Sequence, residues 1–192
     1  MQCPCSILVF SGKRKSGKDF VADVLVKRFG VEICQILRLS GPLKKQYAEE
    51  HGLDYKELLN ASTYKENYRA KMIKWGEEKR NSEPYFFCDK TVADADINLP
   101  LWIISDARRI TDVQYFKEKY QDVVKFVRIT ATDSVREQRG FVFTPGVDDA
   151  ESECGLDIGV TWDFIINNDN NNAIFESDLS QIIDYVNGVL PR

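Results

Sequence analysis

A chain of 192 residues with 43% hydrophobic and 29% charged side chains has the make-up of one ordinary globular domain. Folding at this length buries about 70% of the unfolded surface without a disulfide or metal staple. Disorder, a collagen-like repeat and a coiled coil are excluded, and no apolar run reaches the roughly 20 residues a membrane-spanning helix needs. Lys and Arg number 26 against 30 Asp and Glu, a net charge of −4, which argues against a nucleic-acid-binding domain, whose usual mark is a basic surface.

The opening MQCPCSILVF has no basic stretch and no small-residue cleavage site, so no signal peptide is expected. The five cysteines, Cys3, Cys5, Cys34, Cys88 and Cys154, are odd in number and scattered. They read as free thiols in a reducing compartment. Cys3 and Cys5 resemble half a metal site whose second half is missing. The single histidine, His51, beside Gly52, is expected as a surface or capping residue.

In chain order, residues 5–11 form an apolar run that predicts a buried strand. Residues 17–29 put Phe20, Val21, Val24, Leu25 and Phe29 on one helical face, and Gly30 ends that helix. A second strand is expected over 33–39. From Pro42 to about Lys90 the pattern is helical and charge-rich, with an apolar stripe of Tyr64, Tyr68, Met72 and Trp75. Strands at 101–106, 123–130 and 162–167 follow. Thr111 or Asp112 is expected to cap the helix between the first two, and Thr132 or Asp133 the next. A polar turn from Asn167 to Asn172 leads to a closing amphipathic helix through Leu179, Ile182, Ile183, Val186 and Leu190. Strands alternating with helices mean a parallel sheet sandwiched by helices. The expected architecture is a single α/β domain of five parallel strands, with core segments 5–39, 100–131 and 158–192, a helical substrate-binding excursion over 40–95 and a lid over 132–157.

The strongest local signal is Gly12-Lys13-Arg14-Lys15-Ser16-Gly17-Lys18, a G-x-x-x-x-G-K sequence between a predicted strand and a predicted helix. Its glycines let successive backbone N–H groups turn toward phosphate oxygens, and the helix N-terminus adds its positive dipole end. The Lys18 ammonium is placed for the β- and γ-phosphates of a nucleoside triphosphate. The hydroxyl residue that usually follows the lysine is replaced by Asp19. A carboxylate there can ligate Mg²⁺ as a hard oxygen donor, or simply favour the helix dipole. Four cations within six positions, Lys13, Arg14, Lys15 and Lys18, suit a site that holds two phosphorylated ligands.

Phosphoryl transfer asks a protein for alignment and for spread positive charge, and arginine grips phosphate with a planar fork. Arg108 and Arg109 follow the third strand, two residues past Asp106, at the sheet edge where ligands bind; a solvated pair capping the next helix is the alternative. Arg136 and Arg139 lie three apart on the helix after strand four, before a turn with Gly140, Pro145 and Gly146, which fits a mobile lid carrying arginine fingers or two plain surface arginines. Lys65, Arg69 and Arg80 fall on one stripe of the excursion, facing either an acceptor phosphate or water. The acidic run of Asp148, Asp149, Glu151, Glu153 and Asp157 is expected as a solvated loop. Asn168, and next to it Asp169, end the fifth strand near where an adenine would lie.

Together these segments resemble the animal-type phosphomevalonate kinases. The likeness rests on FSGKRKSGKDF (10–20), LRLSGPLK (37–44), STYKE (62–66), WGEEKR (75–80), FFC (86–88), SDxRR (105–109) and RGFVFTPGVDDAESECGLD (139–157). The resemblance implies a P-loop fold like that of the nucleoside monophosphate kinases. It also implies ATP-dependent phosphorylation of 5-phosphomevalonate to 5-diphosphomevalonate, with release of ADP, on the route to isoprenoids and sterols, with ATP and Mg²⁺ required. By position it makes Lys13 to Asp19 the ATP loop, Lys15 and Lys18 phosphate clamps, and Arg80, Arg108 and Arg109 acceptor ligands. Arg136 and Arg139 become lid arginines, and Asn168 lies by the nucleotide. The family pattern itself has Asp at the position of Asp19, against a catalytically dead member. Where animal members often end in a Ser-Arg-Leu-like peroxisomal signal, this chain ends Val189-Leu190-Pro191-Arg192, so a cytoplasmic location is expected. Where the family often has His after Asn168, this chain has Asp169. The partners expected are the two small substrates, with no nucleic acid, no membrane and a monomeric chain. The competing readings are a nucleoside or nucleotide monophosphate kinase of the same fold and a regulator that binds ATP without transfer.

Overall fold

The computed structural model describes residues 4–59 and 63–191; Cys3 of the proposed half metal site, Ser62 of the STYKE segment and the terminal Arg192 lie outside the described residues. The chain divides into two compact units, Met1–Leu37 with Asp96–Arg192, and Arg38–Ala95.

The first unit is a five-stranded, wholly parallel sheet. Its strands are β1 (Ser6–Ser11), β2 (Cys34–Leu37), β3 (Leu101–Ile104), β4 (Val124–Thr130) and β5 (Phe164–Asn167), in the order β2-β3-β1-β4-β5. All six residues of β1 are buried, because a central parallel strand is covered on both faces and reads as a continuous apolar run. Register follows from the pairs Leu8↔Ile103 and Leu8↔Lys125 on its two sides. Alternation sends Leu8, Phe10, Leu101, Ile103, Val127, Ile129 and Ile166 to one face, where helix α1 (Lys18–Phe29) packs Val21 and Leu25. The closing helix α9 (Asn172–Val189) adds Phe175, Leu179, Ile182 and Val186 to the same cluster. On the other face Trp102 meets Tyr120 of α6 (Ile110–Tyr120) edge-on, with ring centroids 5.9 Å apart.

Several ends differ from the sequence reading. The third strand stops at Ile104, and the fifth begins at Phe164 rather than 162. Helix α6 starts at Ile110, so neither Thr111 nor Asp112 is its cap; Asp112 sits inside the first turn and reaches back with its carboxylate to the N–H groups of Arg108 (2.9 Å) and Arg109 (3.0 Å). Helix α7 (Asp133–Gln138) ends one residue before Arg139. The asparagine turn is also a cap: Asn171 accepts the N–H of Ile174 at 3.3 Å and starts α9.

The second unit is helical: α2 (Ser40–His51), α3 (Tyr55–Leu59), α4 (Thr63–Ser82) and α5 (Phe86–Ala93). Its core joins Tyr47, Ala48, Leu58 and Met72, with Tyr64, Tyr68 and Trp75 packed against them, so the aromatic stripe of α4 is core. His51 closes α2, its Nδ1 2.9 Å from the Tyr47 carbonyl. Among the described residues no helix is long and apolar enough to cross a membrane. Cys5, Cys34, Cys88 and Cys154 are free thiols, and burial pushes that of Cys34 up to about 12.

Candidate active site

Chain reversal at β1 makes the site. The strand order runs to one edge, returns beside β1 as β3, then crosses to β4 and β5 on the other side. In open parallel sheets ligands bind at the carboxyl ends of the strands, where the order reverses. The segment from Gly12 to Gly17 leaves the end of β1 there and feeds into α1. Gly17 caps α1 in a left-handed conformation (φ 94°), and a Cβ added to it would collide with the amide nitrogen of Asn168. Lys15 also has a positive φ of 63°. This curled backbone is the local geometry the G-x-x-x-x-G-K spacing requires.

Lys18 folds back over the loop, its ammonium 2.5 Å from the Gly12 carbonyl and 3.2 Å from that of Lys13. Burial, with the Arg108 guanidinium as the next cause, pushes its pKa down to about 7, against the pull of the Glu153, Asp106 and Asp19 carboxylates. The named carboxylates place β3's end and α1's first turn around one ammonium. The loop serine Ser16 and Ser105, just past β3, each bury a hydroxyl that has no hydrogen-bond partner among the described residues. Buried hydroxyls normally find a partner, so these oxygens are open to a ligand.

The acidic run is a solvated loop only in part: Asp149, Glu151 and Asp157 are exposed, and the other two carboxylates are buried. Asp148 and Glu153 are each only 9% exposed, and the run ties down the cations that the sequence assigned to phosphates. Arg14 donates through Nη1 to both Asp148 oxygens, at 2.8 and 3.0 Å. Lys13 pairs with Asp157 and donates to the Glu153 carbonyl at 2.9 Å. Arg108 pairs with Glu153 and donates to the Ser152 carbonyl at 3.0 Å. Glu153 sits on α8 (Glu151–Cys154), a single turn. Sequence reasoning also missed Arg128, which bonds Ser11 Oγ at 3.1 Å and Asp157 at 2.6 Å and lies over the Trp162 ring at 5.4 Å. Its signal is the register Ser11↔Arg128, which is a property of the sheet and not of the local sequence.

Arg109 is buried beside Asp112 at the start of α6. Burial holds its guanidinium below the usual arginine range, offset by Glu151, Asp112 and Glu153. Arg136 is also buried; its Nε donates to the Arg14 carbonyl at 2.9 Å and its guanidinium lies 3.9 Å over the Phe141 ring. Arg139 spans the loop and the end of β5: it donates to the carbonyls of Ser16 (3.2 Å) and Asn168 (2.7 Å) and to Asn170 Oδ1 (2.9 Å). Asn168 in turn donates its amide to the Ser16 carbonyl at 2.8 Å, while Asp169 accepts the N–H of Thr132 at 2.6 Å. A cleft of about 600 Å³ opens here, walled by Phe20, Phe175, Arg139, Asn168 and Asn171. Its apolar walls beside polar amides suit a flat heterocycle at the end of a phosphate chain. In the Arg38–Ala95 unit, Arg69 pairs with Glu66 through Nε at 2.6 Å, Arg80 lies over the Phe87 ring at 4.9 Å, and Lys65 is on the same helix α4.

Sheet order, loop and cations define a P-loop phosphotransferase. Solved structures similar in fold include TT1252 from Thermus thermophilus and a gluconokinase from Sinorhizobium meliloti 1021. The first is 15% identical with a TM-score of 0.52 over 99% of this chain and 100% of that one. The second is 14% identical with a TM-score of 0.51 over 97% and 98%. The model of the phosphomevalonate kinase family matches residues 10–122. A curated phosphomevalonate kinase of Drosophila melanogaster is 38% identical over 167 residues, 85% of this chain and 88% of that protein. The chain therefore belongs to the phosphomevalonate kinase family, and it is a kinase that phosphorylates phosphomevalonate in the mevalonate pathway. That membership decides between the phosphomevalonate and nucleotide acceptors weighed from the sequence.

Proposed function

We propose that the loop from Gly12 to Asp19 holds the triphosphate of ATP, that the Phe20–Phe175 cleft holds its adenine, and that Arg108, Arg109 and Lys13 hold the phosphate of 5-phosphomevalonate. The observation that carries this reading is the convergence at the ends of β1 and β3 on one residue, Glu153: its buried carboxylate accepts from the Arg14 N–H and from Arg108 and acts on the Lys18 ammonium, and its carbonyl accepts from Lys13. The reaction joins two anions: a terminal phosphate oxygen of the acceptor attacks the γ-phosphorus of ATP, the bond to the β-phosphate oxygen breaks, and 5-diphosphomevalonate and ADP result. The protein has little covalent work to do beyond alignment and charge neutralisation. Lys18 follows the charge that develops on the transferred group, and Lys15 is assigned to the phosphates on the loop motif alone. Arg136 braces the loop through the Arg14 carbonyl. Arg139 and Asn168 form one side of the base cleft, and Asp169 anchors the backbone at the start of α7. Lys65, Arg69 and Arg80 are assigned to the acceptor on their sequence motifs alone.

Asp19 and Asp106 are the carboxylates that would hold Mg²⁺, and the unpartnered hydroxyls of Ser16 and Ser105 add hard oxygen donors near them. No group of three or more His, Cys, Asp or Glu side chains able to hold a metal occurs among the described residues. That donor set suits an ion that keeps most of its waters and binds through one or two carboxylates and substrate phosphates. Mg²⁺ when bound neutralises charge shared between the β- and γ-phosphates. The free thiols fit a reducing, cytoplasmic setting.

The test is an ADP-release assay with 5-phosphomevalonate, mevalonate and deoxynucleoside monophosphates as acceptors. Turnover with 5-phosphomevalonate alone is the expected result. Turnover that prefers a nucleotide would overturn the acceptor assignment.

A further inference from the structure

The buried side chain of Glu153 has an unusual set of partners. One carboxylate oxygen accepts the backbone N–H of Arg14, inside the phosphate loop, at 2.9 Å. The other accepts from the Arg108 guanidinium. The same carboxylate is among the charges that act on the Lys18 ammonium. A loop N–H, a strand-end arginine and the loop lysine are the donors that a phosphate oxygen would meet in this cradle. The carboxylate is thus an anion already seated among them. Its neighbours behave alike: Asp148 engages Arg14 and Asp157 engages Lys13 and Arg128.

The segment is also seated as a body. A Cβ added to Gly155 would sit 3.2 Å from the Arg108 carbonyl, so the backbone of the strap lies directly on the turn after β3. At its two ends are Gly146 (φ 74°) and Gly159 (φ 84°), each with open space around it. A strap held by charge in its middle and ending in left-handed glycines can leave as a unit.

We propose that Glu153 is an internal competitor for the phosphate cradle: its carboxylate occupies part of the anion site between the Arg14 N–H and Arg108, and an incoming polyphosphate must displace it. The proposal rests on the loop's being the triphosphate site. It makes Glu153 a specificity-determining residue. By itself a ligand bearing one phosphate, the acceptor included, gains too few contacts to replace a buried, doubly hydrogen-bonded carboxylate, whereas a triphosphate also engages Lys18 and the remaining loop N–H groups and, in displacing the carboxylate, frees Arg108 for the acceptor phosphate. The apparent affinity of any anion is lowered by the fraction of molecules in which the carboxylate is seated.

The experiment is a calorimetric titration of inorganic tripolyphosphate and of inorganic phosphate into the full chain, wild type and Glu153→Gln. The amide keeps the shape and loses the charge. Tripolyphosphate should bind Glu153→Gln about tenfold more tightly, equivalent to about 1.4 kcal/mol. Inorganic phosphate should bind that variant measurably and the wild type hardly at all. Unchanged or weaker tripolyphosphate binding by a folded Glu153→Gln chain would show a brace instead of a competitor and overturn the proposal. A second readout needs no variant: amide hydrogen exchange over residues 147–158 of the wild type should quicken when tripolyphosphate is added, and unchanged or slowed exchange would overturn it equally. A wild type that binds no tripolyphosphate at all would overturn the reading of the loop, and the proposal with it.

Discussion

Replacing Arg139 with Ala separates two roles that an arginine can play in phosphoryl transfer. A finger stabilises charge only in the transition state, and its loss lowers kcat by about 10³–10⁵. A strut that shapes a binding cleft acts on substrate and transition state alike, and its loss appears in KM. In this protein the guanidinium is committed to the carbonyls of Ser16 and Asn168 and to Asn170 Oδ1, at 2.7 to 3.2 Å. It therefore ties the phosphate loop to the end of β5, along the wall of the base cleft. Buried hydrogen bonds to a charged donor are worth about 1.5–3 kcal/mol each, and for this half-exposed group a total of about 2 kcal/mol is a reasonable discount. That amount corresponds to roughly a 30-fold loss of ATP affinity. Steady-state kinetics with each substrate varied separately, and ATP binding measured without acceptor, give the two numbers needed. The expected result is a KM for ATP raised roughly 30-fold with the KM for 5-phosphomevalonate nearly unchanged. A kcat reduced 10³-fold or more at an unchanged KM for ATP would refute the strut and restore the finger.

Lys18→Met should fold with an unchanged or slightly raised melting temperature, since it removes a charge that the site desolvates, yet lose roughly 10²–10³ in turnover; normal turnover would end the role given to the loop. Because burial holds the free Lys18 near pKa 7 and an anion favours its charged form, metal-free ATP should bind at pH 8, where its own phosphates are already ionised, with uptake of close to one proton, read by calorimetry in buffers of different ionisation enthalpy; no uptake at that pH would contradict it. The same depression means that the unfolded chain holds this proton more tightly, so Lys18's contribution to stability rises with pH from about 7 toward its ordinary 10.5 and is lost as pH falls through that window. Gly17→Ala places a Cβ at φ 94° against the Asn168 amide, so stability should fall by about 1–2 kcal/mol from the backbone alone and ATP binding should weaken with it; a variant with wild-type melting temperature and ATP affinity would contradict that geometry.

Local chemistry made the loop readable from the chain alone. Two glycines and a lysine at fixed spacing act through their own backbone conformations, and the flanking strand and helix are written in short-range periodicity. The parallel sheet was readable for a similar reason, because strands separated by helices leave few other arrangements. Phe20 and Phe175, in contrast, are 155 positions apart and meet only because α1 and α9 cover the same face of the sheet. Arg128 reaches Ser11 only through the register of β4 on β1. The largest departure was the strap around Glu153. A run of carboxylates is cheapest in water, and sequence cannot see that cations from 29 to 144 positions away are brought against it. Once β1, β3 and β4 lie side by side, Lys13, Arg14, Arg108 and Arg128 crowd one sheet edge, and their mutual repulsion makes a buried carboxylate favourable there. Which residues are basic belongs to the sequence; which anion answers them is decided by the fold, because electrostatic partners are chosen by distance in space.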